Sequence, residues 1–266
     1  MATAATAGTE EVIEAAGVQL HVVKGGSGSP LVILHDELGH PGWLPFHDAL
    51  AQQHTVHVPL HPGFGVTERV EWIMSMRDIA GWYLEAFDDL GWDPVPVVGY
   101  GLGGWLAAEM ASMCPPQFSK LVVVSAPGIR PPSGEIFDMF LVVFKDYVTK
   151  GIFDPENSAG FQSVYGGDPT PEEADIRDYA REEASRLTWR PYMHYPNLPP
   201  LLHRLKRVPT LIVWGREDAI VPLSAGEAYQ AAIPGSRLVV LDRCGHHPQI
   251  EQPETFVQHV QEFLNT

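Results

Sequence analysis

Six short apolar, β-branched runs recur along the chain: LVILH (Leu31–His35), TVHVP (Thr55–Pro59), VPVVGY (Val95–Tyr100), LVVVSA (Leu121–Ala126), TLIVWG (Thr210–Gly215) and RLVVLD (Arg237–Asp242). A strand wetted on one face alternates apolar and polar residues. Runs with almost no polar interruption belong to strands covered on both faces, as in a parallel sheet. Helical patterns fall between them, at about 43–52, 77–90, 102–113, 223–232 and 253–264. Strand-then-helix order of this kind specifies a doubly wound α/β sheet with right-handed crossovers. Upstream, VIEAAGVQLHVV reads as an antiparallel hairpin at one edge of that sheet.

The rhythm stops between Gly128 and Val208, where the pattern is helical and prolines cluster at both ends. Residues 129–208 are therefore expected to form a helical cap, inserted into a core made of residues 1–128 and 209–266. Ser133 is placed to cap a first helix, whose Ile136, Phe137, Phe140, Phe144, Tyr147 and Val148 make a broad apolar face. Thr170-Pro-Glu-Glu173 is a capping box with proline at the first helical position, opening a second helix. The aromatic face of this insertion is expected first to pack onto the core.

Composition narrows the function classes. With 266 residues, 45% of them hydrophobic, the chain can bury one large core. Its net charge of -16 opposes phosphate backbones and argues against nucleic-acid binding. No run of about 18 apolar residues spans a bilayer. The opening MATAATAGTEEV lacks the basic and apolar regions of a signal peptide and reads as a frayed tail. Cys114 and Cys244 have no metal-like spacing and need no disulfide, which points to a reducing, cytoplasmic compartment. Twelve histidines invite a metal reading. His57 and His61 have H-x-x-x-H spacing, but Pro59 between them denies the helix that would align them, so no metal and no cofactor is expected. The expected partner is a small-molecule substrate, with no membrane association; nothing in the sequence fixes the oligomeric state.

The chemistry gathers at VVGYGLGGW, Val97–Trp105. A strand, a glycine-rich turn and a helix former together make the setting of a G-x-S-x-G nucleophile elbow, but its apex is Gly101. The dinucleotide-binding alternative requires this turn on the first strand–helix unit with an acidic residue about 20 positions on, and the spacing here is wrong. LIVWGREDAIVP sets Asp218 just after an apolar strand, and VVLDRCGHHPQIEQP sets His246 on the loop after the last one. Elbow, then acid, then histidine is a chain order unlike those of chymotrypsin and subtilisin. LVILHDELGHPGW follows an early strand, where a backbone N–H would complete an oxyanion hole with that of Leu102.

With these segments the sequence resembles the α/β-hydrolase fold family over essentially its whole length, through LVILH-x-x-x-G, HPGFG, GYGLGG, PTLIVWGREDAIVP and GHHPQIEQPETF. The resemblance implies an eight-stranded, mostly parallel sheet flanked by helices, with a helical cap inserted after the sixth strand. It further implies His246 as base, Asp218 as the acid that orients it, and a site between sheet and cap. The backbone N–H groups of Leu102 and Glu37 would form the oxyanion hole, and Glu251 would be a structural glutamate of the closing loop.

Two departures stand out. Gly101 carries nothing that can attack a substrate, so acyl-serine, thiol-ester and alkyl-aspartate intermediates are excluded at that position. Where the family usually has His-Gly, this chain has His35-Asp36. An inward Asp36 would oppose a developing oxyanion by several kcal/mol, and the outward orientation is the expectation for a charged residue. Four readings of the missing serine follow. In the first, Gly101 is an engineered replacement for a serine in an esterase-like hydrolase acting on a small apolar or aromatic ester or acyl compound. Alternatively the chain is a natural non-covalent enzyme (a lyase, cofactor-free oxygenase, isomerase or C–C bond hydrolase) using the His246–Asp218 pair as general base. The third reading is a ligand-binding protein, which has no need of an oriented base. The fourth takes the glycine cluster as structural punctuation, which requires the aspartate and histidine matches to be accidental. Candidate site-lining residues are His35, Asp36, Tyr100, Phe140, Phe144, Trp189, Tyr192 and His194; the cap aromatics among them point to an apolar or aromatic substrate.

Overall fold

The computed structural model describes residues 8–266. Of the frayed start expected from MATAATAGTEEV, residues 1–7 lie outside the described residues, but Thr9–Val12 are not frayed: they belong to the first strand and pair with His21–Lys24. Eight strands form one sheet: β1 (Thr9–Ala15), β2 (Val18–Gly26), β3 (Ser29–Leu34), β4 (His54–Pro59), β5 (Val95–Tyr100), β6 (Phe118–Val124), β7 (Thr210–Gly215) and β8 (Arg237–Leu241). Their order across the sheet is β1-β2-β4-β3-β5-β6-β7-β8. β1 and β2 form the expected antiparallel hairpin, β2 also runs antiparallel to β4, and every later pairing is parallel. Val97 and Val98 are neighbours on β5, so they face opposite sides of the sheet, and both are fully buried. Both faces are covered over β3 to β7, which is why those five runs carry so few polar residues; β8, at the edge of the sheet, is only partly buried.

The crossovers are supplied by α1 (Pro45–Ala51), α2 (Met76–Leu90), α3 (Leu102–Met113) and α8 (Leu223–Ala232), and the C-terminal α10 (Pro253–Leu264) packs back on α1. α2 packs on α3. Leu102–Met113 is apolar all round and buried nearly throughout, because it lies between the sheet and α2. Its one acidic residue, Glu109, meets the Arg77 guanidinium at 3.2 Å and the Trp105 indole N–H at 3.4 Å.

Between β6 and β7 the described elements are all helical: α4 (Phe144–Lys150), α5 (Ala159–Tyr165), α6 (Pro171–Thr188) and α7 (Leu198–Leu201), with short 3-10 turns. α6 opens on the capping box read from the sequence. Thr170 Oγ1 accepts the Glu173 N–H at 3.2 Å, and the Glu173 carboxylate accepts the Thr170 N–H at 2.8 Å. The helix expected from Ser133 does not form. That stretch stays irregular until a 3-10 turn at Met139–Leu141 and α4 at Phe144. Long-range partners take the backbone groups a helix would have used: Phe137 N–H goes to Ile220 O, and Ser133 is bracketed by the Ser224 hydroxyl. Ser158 and Asp138 cap the elements that do form. α9 (Pro248–Glu251) closes the loop that carries His246.

Candidate active site

The C-terminal ends of β3, β5, β7 and β8 converge on one buried volume. β5 ends at Tyr100, and the next residue, Gly101, with φ +52° and ψ -126°, turns the chain at once into α3. Gly103 approaches β3 so closely that a side chain there would strike the carbonyls of Leu34 and His35. That contact ties the elbow to the loop after β3.

The loop after β7 places Asp218. Its Oδ1 accepts the N–H groups of Ile220 and Val221, each at 2.9 Å, which leaves Oδ2 for the Nδ1 of His246 at 2.9 Å. Nδ1 therefore carries the proton in this pair and Nε2 points the other way. The His246 loop is anchored twice. His246 N–H donates to Gly151 O at the end of α4, and the Glu251 carboxylate accepts the Gly245 N–H at 2.9 Å and the Phe153 N–H at 2.8 Å. Glu251 thus holds the structural place expected of it. Burial, opposed by these backbone N–H groups, brings its pKa up to about 7.

The space facing Nε2 is filled by Glu37. Its Oε1 lies 3.6 Å from His246 Nε2 and accepts the Tyr147 hydroxyl at 2.6 Å, while Oε2 accepts the Leu102 N–H at 3.1 Å. The first distance is an ion-pair contact too long for a hydrogen bond, so Nε2 is left without a partner. The Leu102 donor is the one the sequence assigned to the oxyanion hole. Glu37 was expected to contribute only its N–H; it contributes a carboxylate, and that carboxylate occupies the hole.

The expectation that Asp36 faces outward is overturned. Asp36 is 2% exposed; its Oδ1 accepts the Leu38 N–H at 2.9 Å and its Oδ2 faces His247 Nδ1 at 3.7 Å. The physical reason is local bonding: the Leu38 N–H and His247 hold the carboxyl inward, while burial and the adjacent Glu37 charge push its pKa well above the usual range and so favour its neutral form. Burial also opposes charge on Glu37, but the His246 imidazole, the Tyr147 hydroxyl and its own peptide N–H outweigh that and hold it down to about 2. For His246, burial alone would lower the pKa; the carboxylates of Asp218 and Glu37 reverse this and hold it well above the ordinary value. His247, beside that positive charge and fully buried, falls to about 3 and stays neutral.

A histidine network fixes the loop that bears both carboxyls. The His61 N–H donates to His35 Nε2 at 3.1 Å, so the His35 proton is on Nδ1, which donates to Asp36 O at 2.8 Å. His61 Nε2 in turn reaches His35 O at 3.1 Å, leaving Nδ1 to accept the Tyr83 hydroxyl at 2.7 Å. Burial drives both rings to low pKa and keeps them neutral. His35 therefore supports the loop from behind and does not line the site.

The other candidate lining residues divide. Tyr100 is buried beside Asp36 with its hydroxyl unpartnered. Phe140, Trp189 and Tyr192 instead pack on one another, edge to face, and Trp189 is half exposed. Tyr192 gives its hydroxyl to the Phe137 carbonyl, Phe144 packs on Tyr165, and His194 borders two surface clefts. The aromatics that close over the dyad are Tyr147 and Tyr165, the latter with its ring 6.5 Å from that of His247. Tyr147 was visible only as one position of an apolar face. Nothing in its local sequence marks it as the group that meets Glu37.

Among the described residues no helix is long and apolar enough to cross a membrane, and no group of three His, Cys, Asp or Glu could hold a metal ion. Residues 31–259 match the family model described as "Alpha/beta hydrolase family". The chain is 29% identical to a 2-hydroxy-6-oxononadienedioate/2-hydroxy-6-oxononatrienedioate hydrolase of Paraburkholderia phymatum, covering 98% of this chain and 96% of that protein. It is 26% identical to a pimeloyl-[acyl-carrier protein] methyl ester esterase of Nitrosomonas europaea, over 90% of this chain and 96% of that one. In fold it is similar to 2-hydroxy-6-oxo-6-phenylhexa-2,4-dienoate hydrolase from Rhodococcus sp., with a TM-score of 0.74 at 24% identity, covering 97% and 100% of the two chains. A family match over residues 31–259 makes the chain a member of the alpha/beta hydrolase family, and the relatives named here are hydrolases.

Proposed function

We propose that this protein cleaves an ester or carbon–carbon bond next to a carbonyl, in a small and largely apolar compound, by proton transfer at His246 and without a covalent intermediate at residue 101. The observation that carries this reading is the orientation of His246: Nδ1 is bound to Asp218, and Nε2 is turned toward Glu37, whose carboxylate stands over the side-chain-free elbow. Water is then the attacking group, since Gly101 offers no other. The named relatives act on carbonyl compounds of two kinds, an oxo-dienedioate and a methyl ester, and both bonds yield to water added at a carbonyl carbon.

The reading in which Gly101 merely replaces a serine is disfavoured by crowding. A Cβ at 101 would lie 2.6 Å from Asp36 Cβ and 2.7 Å from Glu37 Oε2, so a serine has no room with both carboxyls in place. A binding-only role leaves the Asp218–His246 bond without a purpose. His246, Glu37 and Tyr147 are each at most 2% exposed, so substrate reaches them only when the Tyr147 and Tyr165 helices shift.

The test uses purified protein with 2-hydroxy-6-oxo-dienoates, followed by loss of the dienol absorbance, and with short p-nitrophenyl esters. His246→Ala is expected to lower turnover of the accepted substrate by roughly 10²–10⁴-fold. Equal rates for the two proteins would eliminate the proposal.

A further inference from the structure

We propose that Glu37 is the proton acceptor of this site and His246 its proton donor, the two facing each other at 3.6 Å beside the elbow apex at Gly101. The roles are the reverse of those expected of a base steered by an acid, and they rest on the reading above that His246 performs proton chemistry.

Four observations place Glu37 in this role. Its carboxylate stands where a side chain at residue 101 would project, 2.7 Å from an added Cβ. It is fixed from two unrelated elements, by the Leu102 N–H at the start of α3 and by the Tyr147 hydroxyl on α4. It faces His246 Nε2 at 3.6 Å with no hydrogen bond between them, which leaves Nε2 free to serve a third group. Neither is a solvated surface charge, for both side chains are 1% exposed.

The charges around the pair agree with this assignment. Asp218 lies on the far side of His246; beside the pair lie Asp36, whose carboxyl burial and Glu37 push well above its usual range, and His247, held down to about 3. The hydroxyls of Tyr147, Tyr100, Tyr165 and Tyr192 complete the surroundings, each with its pKa raised by burial, so none adds a negative charge. An imidazole between the Asp218 and Glu37 carboxylates holds its second proton, and the ionised Glu37 is the group able to accept one.

In the step we assign to the pair, water attacks the substrate carbonyl carbon. Its O–H bond breaks as the new C–O bond forms, and the proton passes to Glu37 Oε1. The bond to the leaving carbon or oxygen then breaks, and that atom takes the proton from His246 Nε2. The Glu37 acid returns its proton to the neutral imidazole and restores the resting pair. The net change is addition of one water across the cleaved bond.

Nitrogen-15 NMR of the whole protein, read at the His246 ring between pH 5 and 10, tests the pair without any substrate. Wild type is expected to show His246 doubly protonated at pH 7. Glu37→Gln, an isostere that keeps the packing, should lower its titration midpoint by at least about one pH unit, and Glu37→Asp should retain part of the shift. A neutral His246 at pH 7, or a midpoint unmoved by Glu37→Gln, overturns the inference whether or not a substrate is found. If the NMR result holds and no compound is turned over, the fault lies in the proposed function alone. With a substrate, Glu37→Gln should lower kcat by about 100-fold or more with little change in KM, with partial recovery in Glu37→Asp. The rate should fall on the alkaline side as His246 loses its proton; a rate that rises through that titration would refute the assignment. In oxygen-18 water, label should enter the product acid only. Label in the Glu37 peptide would show a glutamyl ester, and so a nucleophile in place of a proton acceptor.

Discussion

Restoring a hydroxyl by Gly101→Ser is the sharpest perturbation the site offers. The backbone at 101 has φ +52°, where a side chain costs about 1–2 kcal/mol unless its surroundings compensate. The new Cβ also meets Asp36 Cβ at 2.6 Å, Glu37 Oε2 at 2.7 Å and Asp36 Cα at 3.3 Å. Glu37 Oε2 is the tip of a side chain and can swing away, although it must then release the Leu102 N–H. Asp36 Cβ cannot, because the His35–His61–Tyr83 network holds that stretch of backbone. Overpacking of this kind costs about 1–3 kcal/mol. The two contributions together come to about 3 kcal/mol, or roughly 6–12 °C in Tm for a domain of this size. Thermal unfolding of Gly101→Ser measures the loss, and the double variant with Glu37→Ala should recover about 1 kcal/mol of it, since one of the two close contacts is gone. The same protein mixed with p-nitrophenyl acetate should show no burst and no added acetyl mass. An unchanged Tm together with an acetyl-enzyme would refute the crowding argument and return the site to ordinary acyl transfer.

Removing the Tyr147 hydroxyl by Tyr147→Phe leaves a buried carboxylate one donor short and should destabilise the protein by about 1–3 kcal/mol, read by denaturant unfolding. Stability against pH should carry the mark of Glu37. A carboxyl held down to about 2, against roughly 4.3 unfolded, stabilises the fold above pH 4.3, and that contribution is lost as the pH falls through 2. Glu37→Gln should flatten this acid limb of the denaturation midpoint; an unchanged limb would contradict the depressed value. His246 acts in the opposite sense: its contribution is complete below about pH 6.5 and disappears as pH rises through the raised folded value, so the alkaline limb should also shrink in Glu37→Gln. Glu251→Ala removes the acceptor for the Gly245 and Phe153 N–H groups, and is expected to cost about 2–4 kcal/mol and to lower activity by loosening the His246 loop. Thr170→Ala removes only a helix cap far from the dyad; about 1 kcal/mol of stability should be lost with kcat unchanged.

The sheet, its helices and the dyad were legible because each rests on a local pattern. Strands buried on both faces announce themselves as unbroken apolar runs. Residues just past such a run, Asp218 and His246, are delivered to one edge of a parallel sheet whatever the loops do. The capping box at Thr170 needs only four consecutive residues. The Ser133 helix failed for the same reason in reverse: its apolar spacing was real, but Ile220 and Ser224, far along the chain, claimed the backbone groups it required.

By itself, then, the amino-acid order determined a parallel α/β sheet, an elbow with no nucleophile and a carboxylate-bound histidine at its rim. The packed chain decided what fills the elbow. Glu37 and Asp36 sit on an irregular loop, where no period sets the direction of a side chain. The orientation of Glu37 is chosen by partners 65 residues away at Leu102 and 110 residues away at Tyr147, and that of Asp36 by the Leu38 N–H and the distant His247. Burying two adjacent carboxyls is tolerable because the raised pKa of Asp36 favours its neutral form and the His246 imidazole stands against Glu37. That compensation exists only once β3, α3, α4 and the His246 loop have met.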